Sequence, residues 1–411
     1  MRSTLKLALK VLLRRKFFTF VSLFAVAFTL LVLLVSAAML DHIFGPQGPE
    51  DRPDRTLVVL KAEIAGEQSR RNGWAGYGLL ARTLPEMPGV ERSTIFAVVR
   101  KLTTYHEGRK ITCFTRRTDG EFWNVFRFQF LEGAPYGQDA ETQALPVAVV
   151  SESTRDRFFG PGRAVGKTLE LDGRRLRVVG VVRNVPSIRF LTFADVWLPT
   201  SLSRSDAYKK DLVGDFAGAM LLAAGANADD VSAEFARRVA NVPINDDRFK
   251  TLSAHASTLF GAVASFFVFE GLEGKPPAVI LGVLWLMAIL FMALPALNLI
   301  NLNLSRILER ASEIGVRKSF GATSGALVRQ FLVENIVLAG LGGALASVLT
   351  AIVLAALNRS GLIPHASFAL NFRVLGWGVL LTLVFGIVSG VLPAWRMSRL
   401  HPVGALQGRF E

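Results

Sequence analysis

Four stretches of this chain contain no charged residue: 17–40, 276–305, 335–358 and 374–395. Each is longer than the roughly 18 apolar residues that a membrane-spanning helix needs. They predict spans at 17–40, 276–305, 336–357 and 374–395, which would divide everything else into segments on one side of a bilayer or the other. The fold class that follows is an α-helical membrane protein with four transmembrane helices. Spans one and two are then separated by a large segment, 41–275, and spans three and four by a short loop, 358–373. The first apolar run exceeds the 7–15 residues of a cleaved signal, so it reads as an uncleaved anchor.

The formal net charge of +14 raises the question of nucleic acid, and its distribution answers it. Segment 41–275 holds 31 basic and 29 acidic residues, which nearly cancel. Residues 1–16, 306–335 and 396–411 together hold 14 basic and 4 acidic ones. The excess therefore sits beside span ends and always on one side, the pattern of cytoplasmic loops. This places both termini (1–16 and the tail 396–411) and the 306–335 loop in the cytoplasm, with 41–275 and 358–373 outside. A lipid bilayer is the implied partner, and nucleic acid is not. The leader 1–16 spaces Lys6, Lys10 and Arg14 four apart, with Leu5, Leu9 and Leu12 on another face, which predicts an amphipathic helix on the membrane surface.

The external segment alternates short strand and helix signals, predicting an α+β domain of two lobes. Strands are expected at 56–60, within 88–102, over "RKITCFTR" and "LPVAVVS", and at 217–222. Helices are expected at 77–84, "DGEFWNVF", "ESTRDRFFG" and 229–239. "KTLELDGRRLRVVGVV" reads as a hairpin turning at Asp172-Gly173. Just before it, "GPGRAVGKT" resembles a phosphate-binding P-loop, but Pro161 stands where a glycine is required. An alternating strand, not a helix, follows Thr168, so a plain β-loop is expected. Cys113 is the only cysteine, which excludes an intramolecular disulfide and suits a buried apolar role. The five histidines are scattered without metal spacing, and acidic pairs such as Asp229-Asp230 sit at expected helix starts. No catalytic constellation or cofactor site is expected in this chain.

The spans carry no ionisable residue, unlike most ion-coupled pumps. Their polar features are Asn298, Asn301 and Asn303, suited to hydrogen bonding between helices, and Pro295, suited to a kink. Small residues line one face of span three (Ala339, Gly343, Ser347) and of span four (Gly386, Gly390), allowing close helix approach. The 306–335 loop reads as helix, turn, helix. Glu313 stands four before Arg317, the favourable order for a pair. Gly321 suits a helix C-cap, and Thr323 or Ser324 an N-cap for a helix running into span three. A charged hairpin of this kind is either a solvated connection or a docking surface for a cytoplasmic partner.

The loop "ERASEIGVRKSFGATSGALVRQFLVEN" resembles the signature of MacB/FtsX-type permeases of ABC transporters, close to E-R-x-x-E-I-G-x-R, then G-A, then Q-F-L-x-E. It falls on Glu309, Arg310, Glu313, Ile314, Gly315 and Arg317, then Gly321-Ala322, then Gln330, Phe331, Leu332 and Glu334. The tail "GVLPAWRMSRLHPVGAL" is similar to that family's ending, and "EFWNVFRFQFLEG", "FFG…AVGKTLELDG" and "VVGVVRNVPS" to its periplasmic domain. The chain departs from the family at Gly325 and Ala326, where basic or polar residues are usual. The resemblance implies a MacB-like external domain and a coupling helix that docks on an ATPase through Glu309, Arg310, Glu313, Ile314, Gly315, Arg317, Lys318, Gly321 and Ala322. It also implies a bacterial inner-membrane location and a second permease copy or paralogue. ATP and Mg would be bound by a separate ABC ATP-binding protein, with a periplasmic adaptor as a further candidate partner. The function it implies is mechanotransmission: ATP hydrolysis in the partner moves the external domain, in efflux, export or envelope remodelling. The alternatives are a lipoprotein-releasing permease, or a membrane-anchored sensor or scaffold without an ATPase.

Overall fold

The computed structural model describes residues 16–46, 48–106, 108–262 and 323–362, with single positions at 282, 286, 364, 365, 368, 372, 375–377, 380 and 384. They fall into two compact units, Asp41–Ile280 with Gly361–Ser367, and the helical remainder. In chain order, α1 (Lys16–Phe44) precedes β1 (Thr56–Val59), β2 (Lys61–Ala65), β3 (Arg70–Ala75) and α2 (Tyr77–Thr83). Next come β4 (Val90–Ala97), β5 (Arg100–His106), β6 (Arg109–Thr118), α3 (Phe122–Val125), β7 (Phe130–Gly133) and α4 (Gln138–Thr142). Then β8 (Val147–Ser151), α5 (Glu152–Phe159), β9 (Thr168–Leu171), β10 (Arg174–Val182) and β11 (Val196–Pro199). The last are β12 (Val213–Gly214), β13 (Phe216–Leu222), α6 (Ala228–Ala240), β14 (Thr251–Ala254), β15 (Ser257–Thr258) and α7 (Ser324–Ser360).

The first lobe of the external domain is a β-α-β-β-α-β unit. β1, β4, β13 and β15 pair antiparallel in the spatial order β15-β1-β13-β4, with α2 and α6 as its helices, the ferredoxin-like arrangement. β1 and β13 are apolar at every position but one because both faces of the sheet are covered. Leu57, Val59, Met220 and Leu222 face the cluster built on Leu79, Leu80 and Phe235 of the helices. Val58, Ala217, Ala219 and Leu221 face a second cluster, rich in aromatic rings, that contains Phe96, Phe122, Trp123, Phe126 and Trp197. The hairpin β2–β3, extended by β14, flanks this sheet.

The second lobe is inserted between β4 and β13. Its strands run β5-β6-β11-β8-β10-β9, with parallel pairs at β6–β11 and β8–β10. The sheet curls until its ends meet, where Thr104 Oγ1 on β5 donates to the Glu170 carbonyl on β9 at 3.0 Å. Inside lie Cys113, Val150, Leu169, Leu176 and Val196. Cys113 is fully buried, and that burial pushes its thiol up to about 11, so it packs as a small apolar residue. Asp172 and Gly173 turn the β9–β10 hairpin with φ of 55° and 72°, the left-handed pair that a two-residue hairpin turn requires. The loop before β9 leads into no helix, so the P-loop resemblance ends there.

The helical unit follows a different rule. The stretches Thr19–Phe44 of α1 and Ile336–Ser360 of α7 are each long and apolar enough to span a membrane. α7 starts at Ser324 and continues without a break through this stretch, as the Thr323/Ser324 capping signal suggests. Phe17, Phe20, Phe24 and Phe28 lie exposed in one stripe of α1, while Val26, Ala27 and Leu30 pack on Ala346 of α7. A Cβ added at Gly342 would sit 2.5 Å from a Val26 methyl, so α7 approaches α1 over Gly342 and Ala346. Ala339 and Gly343 are also buried on α7, one register step from that contact, and Ser347 bonds the Gly343 carbonyl at 2.8 Å. The predicted second and fourth spans, with Pro295, Asn298, Asn301, Gly386 and Gly390, lie outside the described residues.

Candidate functional site

The nine residues expected to couple to an ATPase, from Glu309 to Ala322, also lie outside the described residues. The described part of the chain offers a different site, built where segments leading to and from the apolar helices enter the external domain. Its centre is the 183–195 loop between β10 and β11.

Arg189 sits in an apolar run, "SIRFLTF", and folds inward rather than to solvent. Its guanidinium donates to the Gly45 carbonyl at 2.9 Å, just beyond the end of α1, and to Glu50 at 3.2 Å. Thr192 Oγ1 donates to the other Glu50 oxygen at 2.7 Å. The side chains of Arg189 and Glu50 are 2 % and 5 % exposed, so the pair is sealed from water. Both side chains are matched by hydrogen bonds, as a buried Arg–Glu pair requires. Burial raises the Glu50 carboxyl above its ordinary range, opposed chiefly by the Arg189 charge.

The exit path meets the same loop. β15 pairs with β1, and Leu259 and Ala262 beyond it are buried in the cluster that contains Val185, Leu191 and Phe193. Phe44 stacks edge-on against Phe260 with ring centroids 5.2 Å apart, joining the entering chain to the leaving one. A third segment arrives after α7, where the Ser187 amide donates to the Pro364 carbonyl at 3.4 Å, a long bond. Ser153 and His365 approach at 3.5 Å beside it, and the Ser153 amide donates to Asn184 at 2.9 Å.

Behind the loop, Arg116 on β6 donates to the carbonyls of Ala97, Phe190 and Phe193, tying the loop to both lobes. Its complete burial lowers the guanidinium to about 9, and the Glu50 charge opposes that shift. Asp119, the residue just past the end of β6, clasps the lobes three positions further on. It accepts from Thr94 Oγ1 (2.6 Å), the Ile95 amide (2.7 Å) and the Phe122 amide at the start of α3 (3.0 Å). Burial lifts its carboxyl to about 7, against the pull of those three donors.

Among the described residues no group of three or more His, Cys, Asp or Glu could hold a metal ion. The hub's charged groups are consumed in holding backbone and one another, which makes a stiff joint and provides no nucleophile. Sequence reasoning missed Glu50, Arg116, Asp119 and Arg189. The usable signal was a lone charge inside an apolar run, which "SIRFLTF" shows and which marks an inward-facing ion.

Comparison with known proteins agrees along the chain. Residues 19–238 match the family described as MacB-like periplasmic core domain, and 285–402 the FtsX-like permease C-terminal family. The uncharacterized ABC transporter permease YknZ of Bacillus subtilis is 24% identical over 312 residues, covering 75% of this chain and 72% of that protein. The macrolide export ATP-binding/permease protein MacB of Vibrio parahaemolyticus is 22% identical over 328 residues, covering 79% of this chain and 47% of that protein. The chain thus spans about half the length of the MacB relatives it matches. The periplasmic region of MacB from Actinobacillus actinomycetemcomitans aligns with a TM-score of 0.36 at 15% identity, covering 44% of this chain and 81% of that one.

Proposed function

The chain belongs to the ABC transporter permeases with a MacB-like periplasmic core domain and an FtsX-like C-terminal region, and on that premise we propose that it is a mechanotransmission subunit. A separate ABC ATP-binding chain docks on the 306–335 loop through Glu309, Arg310, Glu313, Ile314, Gly315, Arg317, Lys318, Gly321 and Ala322. ATP and Mg are bound in that partner, where the ATP is hydrolysed. Four spans in the inner membrane, both termini in the cytoplasm and a second permease copy complete the assembly, and the one-sided basic excess supports this orientation. Export or envelope remodelling is the output.

The single observation that carries the reading is the convergence on loop 183–195. Motion of α1 reaches it through Gly45 and Glu50. The chain leading towards the second apolar stretch reaches it through Leu259 and Ala262, and the segment after α7 through Pro364. A pull on any of the three acts on one loop, which Arg116 ties to both lobes. A stiff, fully hydrogen-bonded joint passes displacement on where a soft one would absorb it.

The docking half is tested by co-purification. The wild-type chain is expected to recover an ATPase from the membrane, and a Glu313→Lys/Gly315→Trp variant to lose it. Undiminished recovery by that variant would contradict the coupling role.

A further inference from the structure

Among the described residues, the second lobe closes at the Thr104–Glu170 bond, and beyond that bond the seam between β5 and β9 opens. On one side stands His106, the last residue of β5; on the other stands Lys167, the residue before β9. Between them is a cleft of about 480 Å³, with the last turn of α5 as its floor. Mouths of β-barrels are frequent ligand sites, and this volume is within the usual range of about 300–1,000 Å³ for a small molecule.

We propose that this cleft binds a small amphipathic anion: one carboxylate, phosphate or sulfate group joined to a short aromatic or apolar body. The charge argument comes first. Lys167, His106 and Arg157 line the cleft, and among the described residues no Asp or Glu does. Arg157 is already committed to the Thr112 carbonyl, Thr154 Oγ1 and Asp195, so it forms a fixed wall whose charge is met within the protein. The Lys167 ammonium and the His106 imidazole have no hydrogen-bond or ion-pair partner among the described residues. They are the groups free to meet an anion, and charge-assisted hydrogen bonds of this kind are the strong ones.

The apolar half of the ligand follows from the floor. The Lys167 ammonium lies 5.4 Å over the Phe159 ring. The His106 ring packs on Phe158 with centroids 5.1 Å apart. Cation and ring are therefore adjacent, and a ligand whose anionic group contacts Lys167 places its body against Phe159 and Ile111. Gly160 (φ 74°) and Gly166 (φ 92°) have open space where side chains would project, which keeps the mouth clear. The loop 160–167 carries the glycines and lysine of the P-loop resemblance but leads into a strand. It therefore offers a single lysine rather than a cradle of helix amides, which favours one anionic group over a polyphosphate. This inference is independent of the coupling role.

The probe is radiolabelled phenyl phosphate, a water-soluble aromatic anion, measured by equilibrium dialysis against the full chain in neutral detergent. Saturable binding of one molecule per chain is expected. Lys167→Glu should weaken it about tenfold or more, and Phe159→Ala severalfold. Phenol and inorganic phosphate should each bind at least about tenfold more weakly than phenyl phosphate. Arg163→Glu, an exposed cation of the same loop outside the cleft, should leave binding unchanged. The proposal is overturned by any of four results: no saturable binding, wild-type affinity in Lys167→Glu, phenol binding as tightly as phenyl phosphate, or an equal loss in Arg163→Glu.

Discussion

The external domain and the helical pair bury opposite kinds of residue. In the domain, Phe96, Phe122, Phe126 and Trp197 are fully buried and charged groups turn inward to hold carbonyls. Between α1 and α7, the contact is made by Gly342, Ala346 and Ala27, while Phe20, Phe24 and Phe28 point outward. Water drives the first arrangement, because a large apolar ring gains most by leaving it. In lipid there is no such gain, so close backbone approach between small residues takes over. The same side chain, phenylalanine, should therefore have very different worth in the two regions.

That contrast can be broken by substitution. Phe122→Ala should destabilise the domain by about 3–5 kcal/mol, the cost of an aromatic cavity. Glu50→Ala should cost a similar amount, about 3–5 kcal/mol, because it leaves Arg189 buried without its carboxylate. Denaturant titration of the detergent-solubilised chain, followed by tryptophan fluorescence, reads both. Asp119 adds a pH test. Its folded carboxyl titrates near 7 against an ordinary 3.8. A raised pKa means that the folded state binds the proton more tightly, so this group stabilises below the ordinary value and that stability is lost as pH rises through 7. Between pH 5 and 7 the loss is about 2 kcal/mol, and Asp119→Asn should flatten that part of the profile.

The helical pair should respond to size rather than polarity. Gly342→Leu drives a side chain into Val26 and should cost about 1–3 kcal/mol of helix–helix association, leaving the domain's unfolding midpoint unchanged. Cross-linking yield between cysteines placed on α1 and α7 measures it. Phe24→Ala, on the exposed stripe, should change stability by no more than about 0.5 kcal/mol. A cost comparable to that of Phe122→Ala would show that the stripe is a packed surface and would blur the contrast.

Much of the domain was legible from alternation and turn chemistry. Asp172-Gly173 marked its hairpin, and the strands at β1, β4, β6, β8 and β13 lie where the apolar runs are. β2 and β3 were not legible, because "KAEIA" and "RRNGWA" carry too few apolar residues to show a period. The hub was invisible for a different reason. Glu50 and Arg189 are 139 residues apart, and nothing local in either segment specifies the other. Nothing local to Asp119 points to Thr94, and only the fold brings the two together across 25 residues. Likewise the seam cleft depends on β5 meeting β9, a closure that no strand pattern announces.

The central claim is that displacement of the apolar helices reaches the external domain through loop 183–195. Hydrogen–deuterium exchange of the full assembly, permease with its ATPase, with and without ATP, reads that loop directly. The account predicts that ATP changes exchange at the amides of 187–193 and that a Gly-Gly-Ser insertion after Gly48, which slackens the path from α1, abolishes the change. Unaltered exchange across 183–195 while other parts of the external domain respond to ATP would contradict it.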